Sequence, residues 1–282
     1  MRLNALNFAI NRMFASSNGS AVPSLISRLF TPGTAGFCGG MSVTEAFDAG
    51  LMFQDSTGTT PAALEMPVGL VLGQVGSINA SQTTSTKRPT LKDDGSGHLY
   101  LLFDGIDDCF VTPSIDMTGT DKVTVFAGVR GLSSSGINIL AEFSTDSDST
   151  AGTFELGMPV VGKTLYYQLC ASSRMDGAVT SVFTGPASVV TTAQFCTSAS
   201  TPAAAVAARA NGADLSLVYS PPSITSRSSF SDQPLYIGAR NQASFYFNGH
   251  MYTLPIVVGR AVEPALIAEV EAHINAQMGG IY

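Results

Sequence analysis

The sequence predicts an all-β protein: an antiparallel β-sandwich with an N-terminal helical or extended arm and one C-terminal helix. Three observations carry this. Short runs with a two-residue apolar period recur along the chain, and turn-forming Gly, Ser, Asp and Pro separate them. Outside the first forty residues, the one clear helical stripe lies at the very end. Hydrophobic residues make up 45% of the 282-residue chain, charged residues only 12%, and there are 28 glycines. That balance fits turn-rich β structure, or a subunit that hides surface against neighbours, better than a helical enzyme.

Residues 1–40 form the arm and connector; residues 41–282 form the sandwich with its helix. In the arm, Leu3, Leu6, Ile10 and Met13 are spaced three, four and three apart, which places them on one helical stripe that Phe14 widens. Ser16–Gly19 ends it. So short a helix does not stand alone in water and must pack on something. Its own domain is one partner. The Gly/Ser/Pro-rich stretch from Ser16 to Pro23 favours another chain, making these five residues an assembly element. Residues 31–40 read as irregular connector.

From about residue 41 the pattern turns to β. Val68–Leu72 is a short apolar strand. Leu99, Leu101 and Phe103 share one face of the next strand. Val123, Val125, Ala127 and Val129 share a face of Lys122–Arg130, with Thr124, Phe126 and Gly128 opposite. Leu215, Leu217 and Tyr219 repeat the period, as do Leu235, Ile237 and Ala239. Further strands are expected at Ile137–Phe143, Thr153–Met158, Thr164–Cys170, Val179–Phe183, Val189–Phe195 and Phe245–Val258. The alanine-rich 201–212 stretch favours helix by propensity, but its β context and Asn211-Gly212 favour a strand running into a hairpin. The closing helix opens at Glu263-Pro264, carries Leu266, Ile267, Val270 and Ile274 on its apolar side, and stops at Gly279-Gly280.

Charge and cysteine usage narrow the function. The net charge is −7, with no Lys/Arg block, so nucleic acid is not an expected partner. Cys38, Cys109, Cys170 and Cys196 form no C-x-x-C pair and have no nearby His, which argues against zinc. They are either reduced buried thiols or disulfide partners formed after release. Asn4, Asn7, Asn11 and Arg12 interrupt what would be a signal peptide's apolar region. No stretch of about 18 apolar residues occurs, so no membrane span is expected.

Three segments carry a resemblance. The first is Phe53-Gln54-Asp55-Ser56-Thr57-Gly58-Thr59-Thr60-Pro61 with Pro67–Leu72. The second is Thr86-Lys87-Arg88-Pro89-Thr90-Leu91 with Leu101-Leu102-Phe103-Asp104-Gly105-Ile106-Asp107-Asp108. The third is Pro234-Leu235-Tyr236-Ile237-Gly238-Ala239-Arg240 with Phe247-Asn248-Gly249-His250-Met251-Tyr252. Together they resemble bacteriophage structural proteins with a concanavalin A-like, laminin-G-type jelly-roll domain, over roughly residues 45–282. The resemblance implies a concanavalin A-like β-sandwich and a phage source. It leaves function open, because this sandwich serves lectins, hydrolases and scaffolds alike.

Candidate sites follow. Asp104, Asp107 and Asp108 form an acidic turn that could hold Ca²⁺ through hard oxygen ligands, or could simply use Asp for turn geometry. No other cofactor is expected. Asp146 and Asp148 form a second acidic loop. Tyr166 and Tyr246 are candidate glycan contacts, along with Tyr167, Phe245 and Phe247, although aromatic residues usually pack cores. A glycosidase needs two positioned carboxylates, and Glu142 has no second Glu two or four residues away. Glu263, Glu269 and Glu271 read as the helix's solvated face. His98, His250 and His273 lie near no Gly-x-Ser-x-Gly elbow, and no P-loop or dinucleotide motif occurs.

The expectation is therefore a non-enzymatic virion structural protein: a decoration, fibre or tail accessory subunit, made in the host cytoplasm. It would dock through its arm to other virion proteins and form a homo-oligomer, with a homotrimer as the working guess. The rival is a tail-fibre adhesin that binds a host receptor or surface glycan. A glycan hydrolase is the third class.

Overall fold

The computed structural model describes residues 25–30, 36–38, 42–73, 78–133, 135–160, 164–179 and 184–282. The arm stripe of Leu3, Leu6, Ile10, Met13 and Phe14 lies outside them.

Two antiparallel sheets face one another. The first runs β15 (Ala213–Asp214), β14 (Val206–Ala210), β13 (Ala187–Cys196), β8 (Lys122–Gly131), β18 (Asn248–Thr253), β6 (Leu99–Asp104), β5 (Thr90–Asp93). β8 is its spine. β13 pairs along one side; β18 and β19 (Pro255–Val258) share the other, and β19 carries β1 (Gly36–Cys38). The second sheet starts with β16 (Val218–Ser220), β12 (Arg174–Ala178), β11 (Tyr166–Cys170), β10 (Thr153–Val160) and β9 (Ile137–Phe143). It continues through β17 (Asp232–Ile237), β7 (Phe110–Asp116), β4 (Ala80–Ser81), β3 (Leu70–Val71) and β2 (Met52–Phe53).

Alternation dictates the core. Leu99, Leu101, Phe103, Val123, Val125, Ala127 and Val129 point inward from the first sheet. Leu140, Phe143, Phe154, Leu156, Tyr167, Leu169, Leu235 and Ile237 meet them from the second. Phe154 stacks on Phe143 and on Phe195, with ring centroids 5.4 and 5.1 Å apart. Each such side chain, fully buried, stabilises the fold by about 1.5–3 kcal/mol before entropy is counted.

The outer face of the first sheet is also buried, because helices cover it. They are α1 (Leu25–Leu29) and the terminal α4 (Pro264–Gln277). Phe126, Val190, Tyr252 and Val257 from the sheet meet Leu266, Ile267, Val270 and Ile274 from α4, with Leu29 and Phe30 beside them. β8 is therefore apolar on both faces. Gly128 lets α4 approach: a Cβ there would lie 2.6 Å from Ile274 Cγ2. Arg28 forks onto Glu269 at 2.5 and 2.7 Å, and Arg260 donates to the Arg28 and Leu29 carbonyls at 2.6 and 2.7 Å.

Several expectations are corrected in detail. The connector reading of 31–40 fails at its centre, where Gly36–Cys38 forms β1; the edge of β19 supplies ladder partners that a Gly-rich segment does not advertise. The β pattern does not begin at 41, because α2 (Val43–Asp48) comes first. Ser42 caps it, its Oγ accepting the Glu45 N–H at 3.0 Å. The 201–212 stretch satisfies both of its tendencies in turn: α3 (Pro202–Ala205), then β14, then a turn with positive φ at Asn211 and Gly212. Of the Leu215–Tyr219 run only Val218 and Tyr219 are strand, within β16, although Leu215, Leu217 and Tyr219 still pack on the core. The strand expected from Phe245 begins at Asn248. Val179 lies in no strand, and residues 180–183 are outside the described residues. Glu271 is not solvated. It is buried against the sheet, where it accepts from Thr192 Oγ1 at 2.7 Å and Arg209 Nε at 3.0 Å.

Candidate functional site

Among the described residues, no helix lies over the outer face of the second sheet. Strand alternation sends Glu142 (β9), Glu155 (β10), Tyr166 and Gln168 (β11), and Arg174 and Asp176 (β12) to this face, opposite the core residues between them. Glu142 and Glu155 stand in direct register across the β9–β10 pair. Directly opposed like charges repel unless something neutralises them.

A cation does so. Arg240, from the β17–β18 loop, donates Nε to Glu142 at 3.1 Å, Nη2 to Glu155 at 2.5 Å and Nη1 to Asp148 at 2.8 Å. The 144–150 loop closes over the pair. The Ser147 N–H donates to Glu142 at 2.7 Å, and Ser147 Oγ donates to Glu155 at 2.9 Å. From there the chain of bonds continues outward. Gln168 Nε2 donates to Ser147 Oγ at 3.0 Å, Tyr166 Oη donates to Gln168 at 2.8 Å, and Arg174 Nη2 donates to Tyr166 Oη at 2.9 Å. Glu142 and Gln168 are fully enclosed and Glu155 nearly so.

Burial sets the electrostatics. It pushes the Glu155 carboxyl up to about 7, with the Glu142 charge adding to the rise and Arg240 opposing it. Burial raises Glu142 as well. Burial works against the Arg240 charge, but its bond to Asp148 and the nearby Glu155 and Glu142 charges outweigh that and hold the guanidinium protonated.

Above this floor lies a pocket of about 230 Å³, with Ile137, Val160 and Phe245 as its apolar wall. Phe245 lies in a strained loop. Its φ is +57°, and Asn241 and Gln242 have φ of +48° and +56°. Left-handed backbone at a bulky residue costs of order 1–3 kcal/mol and persists only where surroundings impose it. Here the Ile139 N–H donates to the Phe245 carbonyl at 3.0 Å, the Tyr246 hydroxyl to the Gln242 carbonyl at 2.7 Å, and the Phe247 N–H to the Gly238 carbonyl at 2.8 Å. Phe245 stays 36% exposed, and its ring centroid lies 5.1 Å from the Arg240 Cζ.

The residues singled out from sequence do not form one site. Tyr166 is in the pocket but is 3% exposed and locked between Gln168 and Arg174. Tyr246 does not line the pocket, and its hydroxyl donates to the Gln242 carbonyl, so the two tyrosines do not form one site. Tyr167 and Phe247 are core; Phe245 is the exposed aromatic. Asp146 and Asp148 face guanidiniums, with Asp148 2.8 Å from both Arg240 and Arg174. The partner for Glu142 that local spacing does not show is Glu155, supplied by hairpin register; its one sequence signal is an acidic residue between Phe154 and Leu156.

Asp104, Asp107 and Asp108 do come together, with carboxylate oxygens within 4.8 Å of one another. This spacing could admit one hard cation. The turn already uses these groups: Asp104 Oδ1 accepts the Ile106 N–H at 2.8 Å and the Asp107 N–H at 3.2 Å, and the Asp104 N–H donates to Asp108 at 3.0 Å. Burial, then the Asp104 charge, pushes Asp108 up to about 7. Cys109, Cys170 and Cys196 are free thiols. His98 pairs with Asp94, His273 lies 3.0 Å from Glu45, and His250 stacks on Tyr100 at 3.9 Å. No helix among the described residues is long and apolar enough to cross a membrane.

No family model matches the chain, and no curated protein matches it. Its similarity to solved structures is one of fold. The sialidase of Trypanosoma rangeli superposes with a TM-score of 0.57 at 12% identity, over 99% of this chain and 39% of that one. The same sialidase with the inhibitor DANA gives 0.54 at 10% identity, over 95% and 37%. The binding domain of botulinum neurotoxin serotype G gives 0.50 at 9% identity, over 73% and 48%. The chain thus spans about two fifths of the sialidase and about half of the neurotoxin domain. The expectation of a non-enzyme is corrected here. Enzymes are among the neighbours that share this fold, and the sequence ground for excluding catalysis, a solitary Glu142, is removed by Glu155. The fold is an all-β jelly-roll sandwich with a C-terminal helix.

Proposed function

We propose that this chain is a carbohydrate-recognition sandwich of a bacteriophage particle. The pocket on the second sheet engages a host-surface glycan, and the N-terminal region docks to other virion proteins. The observation that carries the glycan reading is Phe245: a strained loop holds an exposed aromatic ring at the mouth of a pocket floored by fixed hydrogen-bonding groups. An apolar ring face beside converging polar groups is the equipment a sugar needs. The phage assignment rests on the three sequence segments quoted above. The test is binding of the purified chain to host cells. Wild type binds and Phe245→Ala loses most of the binding; undiminished binding by the variant sinks the assignment of the pocket. Immunogold labelling of intact virions tests the particle assignment, which fails if no particle is labelled.

One observation favours a second reading, glycoside hydrolysis. A carboxyl near neutrality beside a second carboxylate matches the acid–base equipment of glycosidases. Release of reducing sugar from host polysaccharide, abolished in Glu155→Gln, would establish it.

A further inference from the structure

The geometry points to a ligand class: the pocket takes a neutral, polyhydroxylated sugar and rejects sugars bearing a carboxylate or sulfate. This rests on the glycan-binding reading and narrows it.

Anionic sugars are recognised by cationic groups with donors to spare, and Arg is the usual one because its planar fork matches a carboxylate. Two arginines line this pocket, and both are already committed to protein carboxylates. Arg240 turns its Nε, Nη1 and Nη2 toward Glu142, Asp148 and Glu155. Arg174 turns Nε and Nη2 onto Asp176, at 2.8 and 3.0 Å, and Nη1 onto Asp148 at 2.8 Å. All six guanidinium nitrogens thus face protein carboxylates. An incoming carboxylate would meet guanidiniums already neutralised, competing at Arg174 with Asp148 and Asp176 and at Arg240 with Glu142 and Glu155, which lie too deep for water to compensate them. Carboxyl groups are also in excess: Asp146, Asp148, Asp176, Glu142 and Glu155 surround two cations. The whole chain, at −7, adds repulsion at a distance.

What the pocket offers outward is acceptors. The Asp148 side chain, which lines the pocket, is 38% exposed, and that of Asp146 nearby in the same loop is 50% exposed. Sugar hydroxyls donate to such carboxylates, and the apolar face of the ring covers Phe245. Asp148, already oriented by both arginines, is the acceptor that positions the ligand.

The experiment is a binding titration of the full chain with matched oligosaccharides: neutral hexose- and N-acetylhexosamine-terminated ones, and the same cores ending in sialic or uronic acid. The expected result is binding of neutral ligands, at least about tenfold weaker binding of their acidic counterparts, and a similar loss for neutral ligands in Asp148→Asn. Thermal melting of the variant is measured alongside, so that unfolding is not mistaken for lost recognition. Preference for the acidic ligands, weakening as salt is added, overturns the inference while leaving glycan binding intact. Binding of neutral ligands that survives both Asp148→Asn and Phe245→Ala places recognition elsewhere and overturns it too. Binding of none of the probes defeats the glycan reading itself, and this inference with it.

Discussion

Both outer faces of the sandwich are covered, the first mainly by apolar side chains with one buried Glu271–Arg209 pair, the second by an ionic network. Over the first sheet, α4 and α1 lay Leu266, Val270, Ile274 and Leu29 on Phe126 and Val257, making a second apolar core. Over the second sheet, a loop and one arginine enclose Glu142, Glu155 and Gln168 in a hydrogen-bonded network. Apolar burial is non-directional and stabilises in proportion to area. A buried ionic network contributes little net stability unless every member is satisfied, and it fails sharply when one is removed. The contrast marks the first outer face as scaffold and the second as the place where stability has been given up for a specific arrangement of groups.

Removing the keystone gives the largest expected effect. Arg240→Ala leaves two buried carboxylates without a counter-charge and should cost about 3–5 kcal/mol. Urea denaturation should show a greater loss at pH 8 than at pH 5, where Glu155 is protonated. A pH-independent loss would mean that the arginine acts by packing alone.

Next is the pH dependence of the wild type. Glu155 and Asp108 both have carboxyls held at about 7 in the folded chain, above their unfolded values near 4. The folded state binds these protons more tightly. The stability they contribute is therefore full below about pH 4 and is lost as pH rises through 7, of order 3 kcal/mol for each group. Melting temperature should fall between pH 5 and pH 8, and Glu155→Gln should flatten that slope.

On the apolar face, Ile274→Ala should cost about 2–4 kcal/mol, with no pH dependence over the same range. A clear pH dependence there would break the contrast between the faces. The smallest effect is expected at the close approach of α4 to β8. Gly128→Ala puts a Cβ 2.6 Å from Ile274 Cγ2 and 2.8 Å from Met278 Sδ, which should cost about 1–3 kcal/mol in urea. Calcium titration followed by melting temperature separates the two uses of the acidic turn. A rise that Asp107→Asn abolishes assigns it a cation, and an unchanged temperature leaves it a backbone turn.

Much of the scaffold was legible in the sequence because it depends on local periodicity. Leu99, Leu101 and Phe103 alternate, and all three are buried. Leu266, Val270 and Ile274 repeat at helical spacing, and they seal the second core. Turn residues such as Asn211-Gly212 sit where positive φ is needed. Some strands that escaped notice, such as Arg174–Ala178, are short and polar on one side, so no apolar run marks them.

The candidate site was not legible, for a different reason. Glu142 and Glu155 are joined by hairpin register, Arg240 arrives from a distant loop, and Gln168 and Tyr166 come from a third strand. Composition and alternation determined that this chain folds as a sandwich with a helix at its end, because those features act over a few residues at a time. Only the tertiary structure decided that two glutamates share one arginine and that Phe245 faces a pocket. Which side chains meet across a sheet is set by register and loop path, and neither is written in the spacing of residues along the chain.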